Sequence, residues 1–270
     1  MNLKEKYGTT ALIAGASEGI GASFAELLAS QGIGLVLVAR RREPLQKFAG
    51  NLKDRFGVNA DYIACDLSEE GALDRIIEGL AGKEPDILVY NAALSKIGPF
   101  LANDPAEHLK MARVNMTTML GMVHHFGGRM VQRRRGAVIL MTSLAGFQGS
   151  GYLSVYAATK AFVRILAESL WYEWKGSNVD VIACCAGATS TPGYISSKPG
   201  KAGIFAPRVL APEEVAAECL KHLGKKPSFI TGRANRMASF FMQKVLPRKM
   251  AVTIMGDTTG KLYRQSPGER

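Results

Sequence analysis

No Cys-x-x-Cys occurs in this chain, and its four cysteines (Cys65, Cys184, Cys185 and Cys219) include one adjacent pair. That spacing gives no zinc site and no disulfide framework, so no metal is expected and the thiols read as buried side chains in a reducing compartment. No window reaches eighteen uninterrupted apolar residues, which removes any transmembrane helix. Met1 to Lys6 lacks the apolar stretch of a secretory signal, so a cytoplasmic location is expected. Internal repeats, low-complexity tracts and linkers are also missing, and residues 1–270 read as one domain. What is present, 47% hydrophobic and 21% charged residues with 29 glycines and 11 prolines, matches an ordinary globular protein and excludes collagen-like and disordered classes.

Acidic residues become scarce towards the C-terminal end. Of the net charge of +11, the segment from Lys198 to Arg270 contributes +9 through fourteen Lys and Arg against five acids. Such a surplus attracts phosphorylated cofactors, nucleic acid or anionic lipid, or simply forms a solvated face. Aromatic-basic interleaving and recognisable base-reading motifs are absent, so nucleic acid is not an expected partner.

Short apolar runs alternate with longer amphipathic stretches, the pattern of parallel strands joined by helical crossovers. Strands are expected at Thr10–Ala14, Leu35–Val38, Ala60–Ala64, Ile87–Tyr90, Ala137–Met141, Val179–Cys184 and Ser228–Thr231. Ile20, Phe24, Leu27 and Leu28 share one helical face after the first strand. Further helices are expected near Ser68–Leu80, Pro105–Arg133, Ser154–Trp174 and Pro212–His222. The fold class is therefore α/β, a doubly wound sheet of about seven parallel strands with helices on both faces. Gly187 to Pro207, rich in Gly, Ser and Pro, reads as a mobile loop.

Gly15, Gly19 and Gly21 lie where the first strand gives way to the first of these helices. Small residues there let the chain turn sharply and let a pyrophosphate approach the free N–H groups of the helix start. A plain glycine-rich turn is the alternative. About 20 residues on, where an NAD site places an acid, stand Arg40, Arg41 and Arg42. Guanidinium groups there pair with a 2′-phosphate and favour NADP(H) over NAD(H). An exposed helix start is the other reading, and Glu18, inside the turn, opposes a phosphate.

Tyr156 and Lys160 share a helical face at i and i+4. Tyr194 and Lys198 have the same spacing but lie between Pro192 and Pro199, where a common helical face is not expected. Ser143, thirteen residues before Tyr156, falls at the C-terminal end of a strand, where open α/β sheets bind ligands. Val181 stands at that offset from Tyr194.

The glycine turn, Asp66 after the third strand, Asn91-Ala92-Ala93 after the fourth, Asn115, Ser143, Tyr156 and Lys160 appear in the order and approximate spacing of the short-chain dehydrogenase/reductase family, which this chain resembles over about residues 8 to 232. The resemblance implies a Rossmann fold and a nicotinamide cofactor. It implies Ser143, Tyr156, Lys160 and Asn115 as catalytic residues, with Asn115 positioning a water that relays protons to Lys160. It implies Gly15, Ser17, Gly19, Ile20, Gly21, Arg40, Arg41, Asp66, Leu67, Asn91, Ala92, Tyr156, Lys160, Gly187, Thr189 and Thr191 as the cofactor-binding set. Asp66 reads equally well as the cap of the helix near Ser68. Departures are Ala14 for a frequent Thr, Ala93 for the usual Gly, and Cys185-Ala186-Gly187 for the expected Pro-Gly. A homodimer or homotetramer through the long helices is implied as well.

Substrate identity is expected in the loop 187–207, with Tyr194, Ile195, Ile204 and Phe205, and in the C-terminal extension 233–270. There Met237, Phe240, Phe241, Val245 and Leu246 recur at helical spacing near Lys244, Arg248 and Lys249, a pattern expected to pack within the fold or a dimer, with peripheral membrane contact as another outcome. The expected function is NADP(H)-dependent hydride transfer between the cofactor and the carbonyl or alcohol of a small molecule, an apolar ketone of steroid, acyl or lipid type. The alternative is a dinucleotide-binding regulatory or scaffold protein without turnover.

Overall fold

The computed structural model describes residues 2–197 and 208–263. In chain order the elements are α1 (Leu3–Tyr7), β1 (Thr10–Ala14), α2 (Gly19–Ala29), β2 (Gly34–Ala39), α3 (Arg42–Phe56), β3 (Ala60–Ala64), α4 (Ala72–Gly79) and β4 (Ile87–Tyr90). Next come α5 (Pro105–Ala112), α6 (Thr118–Met122) and α7 (Gly128–Arg133), joined into one helical rod by π-turns at Arg113–Thr117 and Val123–Gly127. The chain continues through β5 (Gly136–Ser143), α8 (Ser154–Glu173), β6 (Val179–Ala186), the single turn α9 (Pro192–Ser196), α10 (Pro212–His222) and β7 (Ser228–Ile230). Finally α11 (Arg233–Phe240) runs through a third π-turn, Phe241–Val245, before α12 (Arg248–Tyr263).

All seven strands are parallel in the order β3-β2-β1-β4-β5-β6-β7. Burial on both faces explains their near-continuous apolar runs: Ala11 to Ala14 and Ile87 to Tyr90 are buried throughout. One core layer packs α2, α3 and α10 on the sheet through Phe24, Leu28, Leu45, Leu52, Val215 and Leu220. The opposite layer uses Ile76 of α4, Met119, Met122 and Phe126 of the long rod, and Val163 and Ala167 of α8. The strand order reverses between β1 and β4, so their C-terminal ends open the crevice where such sheets bind ligands.

Several expectations shift. The helix expected near Ser68 starts at Ala72, with Gly71 at its N-cap, so Asp66 does not cap it. Asp66 instead closes a local turn, accepting from the Ser68 backbone N–H at 2.9 Å and the Ser68 hydroxyl at 2.7 Å. The loop expected over residues 187–207 contains α9, on which Tyr194 sits; Lys198, Ile204 and Phe205 lie outside the described residues. Of the packings expected for the C-terminal apolar residues, the one within the fold is not found for Met237, Phe240, Phe241 and Val245, which are exposed and so left for contact with a second copy or another surface. All four cysteines are free and buried.

Candidate active site

The turn behind β1 is closed by backbone contact. A Cβ on Gly21 would sit 2.0 Å from the Gly15 carbonyl oxygen and 2.7 Å from Asn91 Nδ2, a space only a hydrogen fills. Gly15 has φ +80, and its missing Cβ lets Ala92 N approach to 2.6 Å from that point. Asn91 donates from Nδ2 to the Gly15 carbonyl at 2.9 Å and so ties the exit of β4 to the turn. The α2 N-terminus has no side-chain cap and no acid in its first turn. Its N–H groups and dipole therefore suit an anionic ligand, which is the chemistry a dinucleotide pyrophosphate brings. Thr191 lies on the same side: a Cβ on Gly19 would sit 2.9 Å from its Cγ2. Its hydroxyl caps α9 by accepting from Tyr194 N at 3.2 Å. Gly187 and Thr189 line the approach to α9, where Thr189 pairs with Leu210 in a short parallel bridge.

At the end of β2, Arg40 and Arg41 are exposed. Arg40 acts on Asp66: partial burial raises that carboxyl, but the two Ser68 hydrogen bonds and the charges of Arg40 and Lys110 hold it below the usual range. Arg41 instead meets Glu18 across the glycine turn. Leu67 is buried, and its carbonyl accepts from Thr118 at 2.8 Å, fastening the segment behind β3 to the long rod.

Tyr156 and Lys160 occupy one face of α8, with Lys160 Nζ 5.7 Å from the Tyr156 ring centre. The amine is buried and donates to the Met141 carbonyl on β5 at 2.9 Å. Burial pushes its pKa down to about 8. Two residues along β5, Ser143 ends the strand and its Oγ accepts from Ala145 N at 3.2 Å. The tight turn that follows rests on α8, where a Cβ on Gly146 would sit 2.7 Å from the Lys160 carbonyl carbon. Thr142, which no motif marks, donates to the Lys160 carbonyl at 2.6 Å and fixes the strand-helix register beneath the pair.

Asn115 is buried in the first π-turn. Its Oδ1 accepts from Leu94 N at 2.8 Å, while Nδ2 donates to the Leu94 carbonyl at 2.9 Å and to Thr159 Oγ1 at 3.1 Å. The amide thus joins the rod, the loop behind β4 and the α8 residue adjacent to Lys160. Both of its donors are in use, and one oxygen lone pair remains. Tyr90 steadies the same π-turn by donating to the Val114 carbonyl at 2.6 Å.

Behind Ser143 the chain is roofed by α12. Ser150 and Thr259 hydroxyls meet at 3.2 Å, and Arg248 donates to the Phe147 carbonyl at 2.9 Å. A Cβ on Gly151 would sit 3.3 Å from Gly256 Cα, and Tyr152 packs beside Gly260. The C-terminal helix thus grips the segment that links Ser143 to Tyr156.

A family model described as short chain dehydrogenase matches residues 9–201. A 7beta-hydroxysteroid dehydrogenase of Clostridium sardiniense is 36% identical over 236 residues, 87% of this chain and 90% of that protein. Among solved structures, one from work on 7beta-hydroxysteroid dehydrogenase stereoselectivity superposes with a TM-score of 0.88 at 32% identity, over 94% of this chain and 99% of that one. A short-chain dehydrogenase from Sphingobium yanoikuyae in complex with NADPH gives a TM-score of 0.73 at 30% identity, over 83% and 87% of the two chains.

Proposed function

Because the chain belongs to the short-chain dehydrogenase/reductase family, whose members move hydride between a nicotinamide cofactor and a CH–OH or C=O group, we propose that it is an NADP(H)-dependent oxidoreductase of a keto or hydroxyl group on a bulky apolar molecule, with a steroid as the leading class. Support for the steroid comes from the hydroxysteroid dehydrogenases it resembles. Arg40 and Arg41 support the 2′-phosphate, since a guanidinium fork pairs with it where a carboxylate would repel it. The cofactor's pyrophosphate would rest on the Gly15 to Gly21 turn, its adenine beside Asp66 and Leu67, its adjoining ribose beside Asn91 and Ala92, and its nicotinamide end towards Thr189 and Thr191. When bound, the nicotinamide supplies or accepts the hydride.

The observation that carries the reading is the buried Lys160 amine beside Tyr156. A phenol with an ordinary pKa near 10 needs about 4 kcal/mol of help to exchange its proton near pH 7. With its pKa at about 8, Lys160 is still mostly charged at neutral pH and supplies that help through a medium that screens little. Tyr156 gives its proton to the substrate oxygen in reduction and takes one in oxidation. Ser143 accepts the Ala145 N–H, which leaves its own hydrogen to steady the same oxygen as charge develops. Asn115 holds α8 in register through Thr159 and keeps a lone pair for a proton-carrying water. Replacing Tyr156 by Phe is expected to lower turnover of ketosteroids by roughly 10²- to 10⁴-fold while NADPH still binds, as followed by NADPH oxidation and by cofactor titration. Undiminished turnover would end the assignment.

Assembly into two or four copies through the outer faces of the long rod and α8 belongs to the same proposal. Leu109, Leu120, Ile165 and Tyr172 are exposed there and supply the apolar surface such contacts use. Among the described residues no helix is long and apolar enough to cross a membrane.

A further inference from the structure

Glu18 and Arg41 come from different crossovers, one in the glycine turn and one at the head of α3, yet Arg41 Nη2 and Glu18 Oε2 lie 2.6 Å apart. The two arginines behind β2 are therefore not equivalent. Arg40 acts on Asp66, whereas a donor of Arg41 is already taken by a carboxylate. The side chains of Arg41 and Glu18 are 61% and 47% exposed, so the pair is open to water and weakly held, and an incoming anion finds it within reach.

Resting on the NADP(H) reading above, we propose that Glu18 is a specificity-determining residue for the cofactor: its carboxylate competes with the 2′-phosphate for Arg41 and so narrows the preference for NADP(H) over NAD(H). A guanidinium offers its donors in a rigid fork, and a phosphate seeking two of them must displace the acid or share the group with it. Either way, the phosphate gets less from Arg41 than it would if the carboxylate did not hold one of its donors. NADH carries no group there, so its binding escapes the competition. The opposing possibility is that Glu18 aims Arg41 at the phosphate, in which case removing the carboxylate weakens NADPH.

The two differ in sign. Titration calorimetry of the full chain with adenosine 2′,5′-bisphosphate, AMP, NADPH and NADH is expected to show E18Q tightening the two 2′-phosphorylated ligands by roughly three- to tenfold, with AMP and NADH moving less than twofold. In an Arg41→Ala background the gain should disappear. An E18Q protein that binds NADPH no better or less well, or one that keeps its gain without Arg41, overturns the competition. If Arg41→Ala and Arg40→Ala weaken NADPH and NADH alike, the cofactor reading itself fails. If Arg41→Ala weakens NADPH selectively while E18Q does nothing, that reading stands and Glu18 has no part in it.

Discussion

In α2 the residues turned into the protein are Phe24, Ala25 and Leu28, and the helix start is locked by the Gly15 to Gly21 contact. In α11 the arrangement is inverted. Asn235 and Ser239 are buried, whereas Met237 and Phe240 are 75% and 64% exposed. Asn235 is wedged beneath Gly187, where a Cβ would come within 2.5 Å of its Nδ2. Its Oδ1 and the Thr231 hydroxyl have no hydrogen-bond partner among the described residues. The first helix draws its stability from apolar area removed from water. The second is held by a polar anchor and leaves its apolar side available, a sign of surface kept for contact rather than for folding.

The sharpest test of that contrast lies at the sealed end. Gly21→Val is expected to cost more than about 3 kcal/mol, because the clash is with backbone that cannot retreat, and to abolish NADPH binding. Thermal unfolding and cofactor titration measure both, and a tolerated valine would break the contrast at once.

An intermediate effect is expected from Lys160, buried like the core of α2 but carrying a charge. Its native pKa of about 8 lies below the usual 10.5. At pH 7 both the folded and unfolded amines hold their proton, so the burial penalty, about 3 kcal/mol, is felt in full. Between pH 8 and 10.5 the native amine is neutral while the unfolded one stays charged, and the penalty lifts as pH rises. Lys160→Met should therefore be the more stable protein in denaturant at pH 7, with an advantage that shrinks by pH 10 and with turnover lost. Burial pushes the Tyr90 and Cys185 pKa values up in both proteins, so their contribution cancels in the difference.

The smallest effect belongs to the exposed helix. Phe240→Ser is expected to change unfolding stability by no more than about 0.5 kcal/mol. A loss above about 2 kcal/mol that depends on protein concentration would show that the face is covered by another copy.

The same contrast explains what the sequence disclosed. Thr10–Ala14 and Ile87–Tyr90 are read to the residue because these central strands are buried almost throughout, leaving nearly uninterrupted apolar runs; Ala60–Ala64, at the sheet edge, is mostly half-buried and carries Asp61, and its β-branched and aromatic residues between turn residues carry the signal instead. β5 and β6 extend further, through the Thr142–Cys185 and Ser143–Ala186 register pairs, where small and polar side chains carry no such signal. Charged residues surrounding Leu45, Ala49 and Leu52 hid α3. The periodicity of Met237, Phe240, Phe241 and Val245 is real, but a period does not say which way a helix faces; the seat of Asn235 under Gly187 does. Motif order singled out Ser143, Tyr156 and Lys160, and the structure puts Tyr156 and Lys160 on one face of α8 with Ser143 at the end of β5. It missed Thr142, Thr159 and the Glu18–Arg41 pair, whose roles arise from contacts between distant parts of the chain.

The clasp between α12 and the Ser150 to Tyr152 segment has a practical consequence. An affinity tag or fluorescent fusion attached behind this helix would pull on the span that carries Ser143 at one end and Tyr156 at the other. Tagging ahead of α1, at the opposite end of the strands from the crevice, keeps that strain away from Ser143 and Tyr156.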